Sequence, residues 1–340
     1  MELIRNIELA LDLTLPPYFS VIEAQTLSDS YYPPFPPSAT VIITNFHNEG
    51  LANKVKTVLL AVFQPQHTII IINDPSNKAL LTKIEIPLAH FDQISLISPN
   101  TIVYVAGMDK ETSFEAFHDV VAHLRAADGC PWDRKQTHQT LRSHLLSETY
   151  EVLEALDTQS GEGLCEELGD LMLQIVLHAQ IAYEMHEFSM VDILRGVHQK
   201  IVRRHPHVFG SLQLDNVEGV LQNWELVKAA ERDDRQKAEG SNKSKGFIDS
   251  VPASLPALVQ SQEYQERANR IAYTHPDKNI IYEVIKERLT KLMESSQPLE
   301  RQFILGDILF YVTSAACQFE IDAESALREA NGRFKKLFAK

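Results

Sequence analysis

Hydrophobic spacing changes period once along this chain, near Ser113, and that change decides what the chain can fold into. Upstream of it, residues 40–45 (TVIITN), 68–74 (TIIIIND) and 101–105 (TIVYV) are short β-branched runs, the pattern of buried strands. Between the first two, Leu51 to Val62 has helical spacing closed by Pro65, which makes strand, helix and strand a βαβ unit. The cluster PPFPP at 33–37 is a rigid lead into the first run, and Gly107 ends the third. Residues 1–108 are therefore expected to form a small α/β domain.

Downstream, helical periodicity covers 113–127, 138–157, 161–186, 189–204 and 215–231. The stretch RDDRQKAEGSNKSKG (232–246) is polar and charged, the composition of a flexible linker. Helical spacing resumes over 256–272, 279–295, 298–319 and 322–338. The expected fold class is multi-domain: the α/β domain, an all-α domain over 109–231, a linker over 232–255 and a second helical domain over 256–340. An internal repeat links the two helical parts, LGDLMLQI at 168–175 against LGDILFYV at 305–312. Paired units of this kind dock face to face, which implies a homodimer through the helical repeats.

Bulk properties exclude several classes. With 340 residues and a net charge of −14, the chain lacks the basic surface that non-specific duplex binding needs, so no nucleic-acid partner is expected. Cys130, Cys165 and Cys317 are scattered and odd in number, which supports neither a disulfide framework nor a zinc site. The opening segment MELIRNIELALDL has no continuous apolar core and no run approaches a membrane span, so a cytoplasmic protein is expected.

The chemistry is carried by two helices that each present acids three residues apart. Glu148 and Glu151 lie in SETYE, Glu167 and Asp170 in EELGD. At about 3.6 residues per turn each pair shares one side of its helix, and antiparallel packing brings four carboxylates together. Such spacing on one helix alone is usually a solvated face. The second helix argues otherwise, because Leu168, Leu171, Leu173, Ile175, Val176, Leu177 and Ile181 make it apolar almost all round, the mark of a buried helix. Buried carboxylates need partners, and an all-oxygen set suits Mg²⁺, with Mn²⁺ as a substitute.

DGCPWDRKQTHQTL (128–141), SETYEVLEAL (147–156), EELGDLMLQIVLHAQ (166–180) and RRHPHVFG (203–210) resemble the MazG family of nucleoside triphosphate pyrophosphohydrolases. The resemblance runs over about residues 113–340. It implies that Glu148, Glu151, Glu167 and Asp170 are the metal ligands, and that water attacks the α-phosphorus of a nucleoside triphosphate with pyrophosphate leaving. Two departures stand out. Ser147 occupies a position that is usually a glutamate. In the second repeat Arg288 and Lys291 sit beside Glu287, and Ile304 precedes Asp307 where a glutamate is expected, so that unit reads as a structural partner.

Substrate contacts are less constrained. Lys200, Arg203 and Arg204 share a helical face, either as a triphosphate clamp or as a solvated helix end. Trp132 and Asp133 precede the first acidic helix, where they could meet a nucleobase or simply pack the loop. His205 and His207 are assigned structural roles. The stretch PPSATVIITNFHNEGLANKVKTVLL, with EIPLAHFDQ and TIVYVAGM, resembles the C-terminal half of a tetrapyrrole methylase; without a glycine-rich cofactor half, no S-adenosylmethionine binding is expected. The competing function is a nucleotide-binding regulatory or scaffold protein with little turnover.

Overall fold

The computed structural model describes residues 2–12, 14–47, 49–74, 81–94, 97–238, 248, 251–270 and 277–338. The chain divides into two compact units, Met1–Ile193 and Leu194–Lys340. The first opens with α1 (Glu2–Leu11), β1 (Phe19–Glu23), α2 (Ala24–Ser28), β2 (Thr40–Thr44), α3 (Glu49–Leu59), β3 (Thr68–Asn73), β4 (Thr82–Pro87) and β5 (Ile102–Val105). The strands form one sheet in the order β1-β2-β5-β3-β4. β1 is parallel to β2 and the remaining pairs are antiparallel. β5 thus lies between β2 and β3, and the expected βαβ unit is split by a strand from later in the chain.

The uninterrupted apolar runs are explained by burial on both faces. Val41, Ile43, Ile69, Ile71, Val103 and Val105 pack on one side against Leu51, Val55 and Leu59 of α3. Ile42, Ile72, Ile102 and Tyr104 pack on the other against Ile7 and Leu11 of α1. Each such side chain contributes roughly 1.5–3 kcal/mol by leaving water. Gly107 ends β5 for a steric reason: a Cβ there would meet the Ser38 carbonyl oxygen at 2.2 Å.

Helices follow. α4 (Phe114–Arg125) is capped by Ser113, whose hydroxyl accepts from the Ala116 N–H at 3.1 Å. α5 (Arg142–Asp157) and α6 (Gly161–Glu184) pack together across a tight turn, with Ser160 capping α6. α5 begins at Arg142 rather than near 138, because Thr137 and Thr140 exchange side-chain hydrogen bonds with each other's backbone N–H at 2.9 and 3.3 Å. Val121, Leu141, Val176, Leu177 and Ile181 form this part's core, with Met190 at the start of α7 (Met190–Arg204).

The second unit holds the rest of α7 with α8 (Pro206–Phe209), α9 (Val217–Ala238), α10 (Ala257–Arg270), α11 (Lys278–Glu294), α12 (Pro298–Gln318) and α13 (Ala323–Lys336). α12 packs against α10 and α11. The buried Gln265 side chain on α10 donates to Thr313 Oγ1 at 2.9 Å and to the Phe310 carbonyl at 3.1 Å. Where the linker was expected to begin, α9 continues to Ala238, since Arg, Gln, Lys and Ala in 232–238 are good helix formers. Residues 239–247 and 249–250 of that stretch lie outside the described residues. No single helix among the described residues is long and apolar enough to cross a membrane.

Candidate metal centre

The acids at three-residue spacing do share a helix side, and the α5–α6 pairing turns those sides toward each other. Carboxylate oxygens of Glu148, Glu151 and Glu167 lie within 4.8 Å of one another. Asp170, one turn beyond Glu167, is exposed and outside that set. Its charge still reaches the cluster. Partial burial raises the Glu148 carboxyl above the ordinary range, and the charges of Glu151 and Asp170 add to it. Glu167 is raised by desolvation, then by Glu151, Glu166, Asp170 and Glu148. A cluster that resists carrying its own negative charge, made of oxygen donors alone, fits a hard divalent cation.

The surroundings correct one expectation. α6 is buried in its second half, at Val176, Leu177, Ala179, Ile181 and Ala182, but its acidic half is not. Leu168, Met172 and Ile175 are 47%, 46% and 44% exposed, while Glu148 and Glu167 are half-buried and Glu151 is exposed. Apolar spacing records which faces avoid water; it does not say whether the cover comes from the same chain. At the matching positions of the repeat on α12, Leu305, Leu309 and Val312 are 48%, 49% and 43% exposed.

Ser147, noted in the sequence only as a missing acid, has a partner in the cluster, and a second residue, His144, escaped the sequence reading. Ser147 donates from its hydroxyl to Glu151 Oε1 at 2.9 Å. His144 lies one turn before Glu148, and its ring meets the Trp132 ring edge-on with centroids 6.1 Å apart. Helical spacing carried the signal for His144, four residues before an acid. Trp132 is 55% exposed. Asp133 starts the short helical turn Asp133–Lys135 in the same loop.

Of the three basic residues, Arg203 and Arg204 are already engaged in the second unit. Arg203 donates from Nε and Nη2 to Glu231 Oε1 at 2.8 and 2.6 Å, and Arg204 from Nη2 to Glu231 Oε2 at 2.6 Å. The hydrogen bond from Arg204, with that from Arg203, holds the Glu231 carboxyl down at about 2. No local spacing pointed to Glu231, which arrives from α9. His205 donates its Nδ1 hydrogen to the Ile201 carbonyl at 2.7 Å, a structural role. In the second repeat the acids meet bases: Arg288 pairs with Asp307 at 3.4 Å and Lys291 with Glu287 at 2.5 Å, while Ile304 is buried.

Comparison with known proteins decides the family. Residues 136–209 match the MazG nucleotide pyrophosphohydrolase domain. The chain is 38% identical over 227 residues to the nucleoside triphosphate pyrophosphohydrolase/pyrophosphatase MazG of Thermotoga maritima, a span of 67% of this chain and 84% of that protein. It belongs to the MazG family. It is also 37% identical over 216 residues to the nucleoside triphosphate pyrophosphohydrolase of Escherichia coli K12, 62% of this chain and 80% of that one. The likeness to the uncharacterized protein YabN of Bacillus subtilis reaches 88% of this chain at 32% identity, and spans 61% of YabN. The MazG match runs from the loop before α5 to the end of α8, so it contains all four acids.

Proposed function

We propose that this MazG-family chain hydrolyses nucleoside triphosphates, ribo or deoxy, to the monophosphate and pyrophosphate, with Mg²⁺ held by Glu148, Glu151, Glu167 and Asp170. The observation that carries this reading is the convergence of Glu148, Glu151 and Glu167 within 4.8 Å across two helices. A bound Mg²⁺ would supply charge neutralisation at the phosphate oxygens. The chain's own groups do the rest. Ser147 keeps Glu151 turned along its helix, and Trp132 offers an exposed ring face for a base, with Asp133 beside it as an acceptor. Lys200, Arg203 and Arg204 are the proposed phosphate contacts; a triphosphate would share the two arginines with Glu231.

The half-exposed triplet on α6 supports a homodimer through the helical repeats, since Leu168, Met172 and Ile175 leave nearly half of an apolar face open to water. The domain plan follows as proposed from sequence: 1–108 as the methylase-like half, 109–231 as the catalytic unit and 256–340 as a degenerate partner. The test is direct. Incubation with each common NTP and dNTP plus Mg²⁺ or Mn²⁺ should release pyrophosphate, and EDTA or Glu151→Gln should abolish it. Nucleotide binding without pyrophosphate release would favour the regulatory reading and sink this one.

A further inference from the structure

The loop between α4 and α5 is fastened at points that play no part in holding a metal. Its main fastener is Arg125, the last residue of α4, whose side chain is only 5% exposed. Nε donates to both oxygens of Glu184 at 2.9 and 3.2 Å, and Nη2 donates to Glu184 Oε2 at 2.7 Å. Nη1 donates to the carbonyl oxygens of Asp133 and, at 3.2 Å, Gln136. One guanidinium therefore ties the end of α6 to the turn that carries Trp132 and Asp133. Inside the turn, the Gln136 amide donates to the Trp132 carbonyl at 3.1 Å.

A second fastening lies at the loop's far end. His138 and His178 meet Nδ1 to Nδ1 at 2.7 Å, with rings 7° from parallel, which joins the loop to the middle of α6. Where the loop enters, Gly129 sits so close to α4 that a Cβ would meet the His123 carbonyl oxygen at 2.2 Å. Between these points Trp132 stands edge-on to His144, one turn from Glu148.

The choice of residue at 125 is informative. Burying the guanidinium of such a pair, here against a carboxylate that is 36% exposed, gains little stability over apolar packing, because desolvation offsets the attraction. What such a pair does provide is direction: a planar fork of donors fixes several acceptors at once, and a lysine ammonium cannot reproduce that geometry. Spending a buried charge on two loop carbonyls makes sense where the place of the loop matters.

We propose that Arg125 is a positioning residue for the nucleoside part of the substrate, setting Trp132, and hence a stacked base, against the carboxylates of α5. The proposal rests on the reading of Trp132 as a base contact. It makes Arg125 a determinant of substrate affinity that touches no substrate.

The experiment uses the full chain with Trp224→Phe, which leaves Trp132 as its single tryptophan. Arg125→Lys, Glu184→Gln and Trp132→Ala are compared by kcat and KM with ATP and dTTP, and by the Mg²⁺-induced melting shift. Acrylamide quenching of Trp132 emission is read in the two latch variants. Arg125→Lys keeps the charge and loses the fork, so KM should rise on the order of tenfold with kcat within about threefold. Quenching should increase while the Mg²⁺ shift stays at the wild-type value. Glu184→Gln keeps one acceptor and both carbonyl bonds, and should raise KM by about threefold. Wild-type KM and quenching in folded Arg125→Lys would overturn the proposal; if that variant does not fold, the same result in Glu184→Gln would do so. Wild-type KM in Trp132→Ala would overturn the base contact and the substrate half of the proposal with it. Quenching still reports whether Arg125 holds the loop, so the two failures are distinguishable.

Discussion

Ser147 and Glu151 lie one turn apart on α5, and the Ser147 hydroxyl donates to the Glu151 carboxylate at 2.9 Å. The serine replaces an acid of the family pattern with a donor to one of the cluster's own members. Ser147→Ala should free Glu151 to rotate and weaken Mg²⁺ binding by about two- to fivefold, the worth of one exposed hydrogen bond to a charged group. Titration calorimetry of the folded variant checks this, and an unchanged Mg²⁺ affinity would show the bond to be idle.

The pH dependence of the metal-free protein follows from Glu148 and Glu167. Both carboxyls sit above the ordinary glutamate value of 4.5 in the folded chain, so the folded state holds its protons more tightly than the unfolded state does. Stability in EDTA should therefore fall as pH rises from about 4.5 toward neutrality. The double variant Glu148→Gln with Glu167→Gln should lack that fall and melt at or above wild type near neutral pH. Saturating Mg²⁺ should reverse the trend, because cation binding releases the same protons. Melting curves across pH, with EDTA and with Mg²⁺, read all three outcomes.

Glu231 has the opposite sign. Its carboxyl is held from 4.5 down to about 2 by Arg204 and Arg203, so its contribution is complete above 4.5 and is lost as pH falls toward 2. Glu231→Gln should cost about 2 kcal/mol at neutral pH, since it leaves two cations short of a partner. The gap between variant and wild type should narrow as pH falls below 4.5 and close near 2. A gap that stayed constant with pH would mean that the arginines do not depend on its charge.

Activity should depend on the first repeat alone. Glu151→Gln and Asp170→Asn should abolish pyrophosphate release with the fold intact. Asp307→Asn should leave kcat and KM unchanged, because Asp307 already pairs with Arg288 at 3.4 Å. Equal damage from Asp307→Asn would place chemistry in the second unit.

What the sequence disclosed depended on how local the cause was. β2, β3 and β5 were legible because burial on both faces removes polar residues from them, while β1 and β4 were missed because edge strands keep Ser20, Glu23, Lys83 and Glu85. The insertion of β5 between β2 and β3 leaves no trace in either run. α1 was read only for what it was not, although Ile7 and Leu11 cover the second face of the sheet. Convergence of Glu148, Glu151 and Glu167 was legible because helical geometry and a tight turn suffice to produce it. The grip of Arg125 on Glu184 was not, because the two are 59 residues apart and only the packing of α4 on α6 makes them meet.

β4 forms one rim of the sheet, and its outer residues are Thr82, Lys83, Glu85 and Pro87, with Lys83 and Glu85 paired at 3.0 Å. Another chain's strand arriving at that rim would have to strip water from both charges, and it would find no N–H to meet at Pro87. Growth of the sheet from copy to copy is thereby discouraged at that side. Crowding the protein to high concentration should accordingly favour contacts between helices over a spreading β-ribbon.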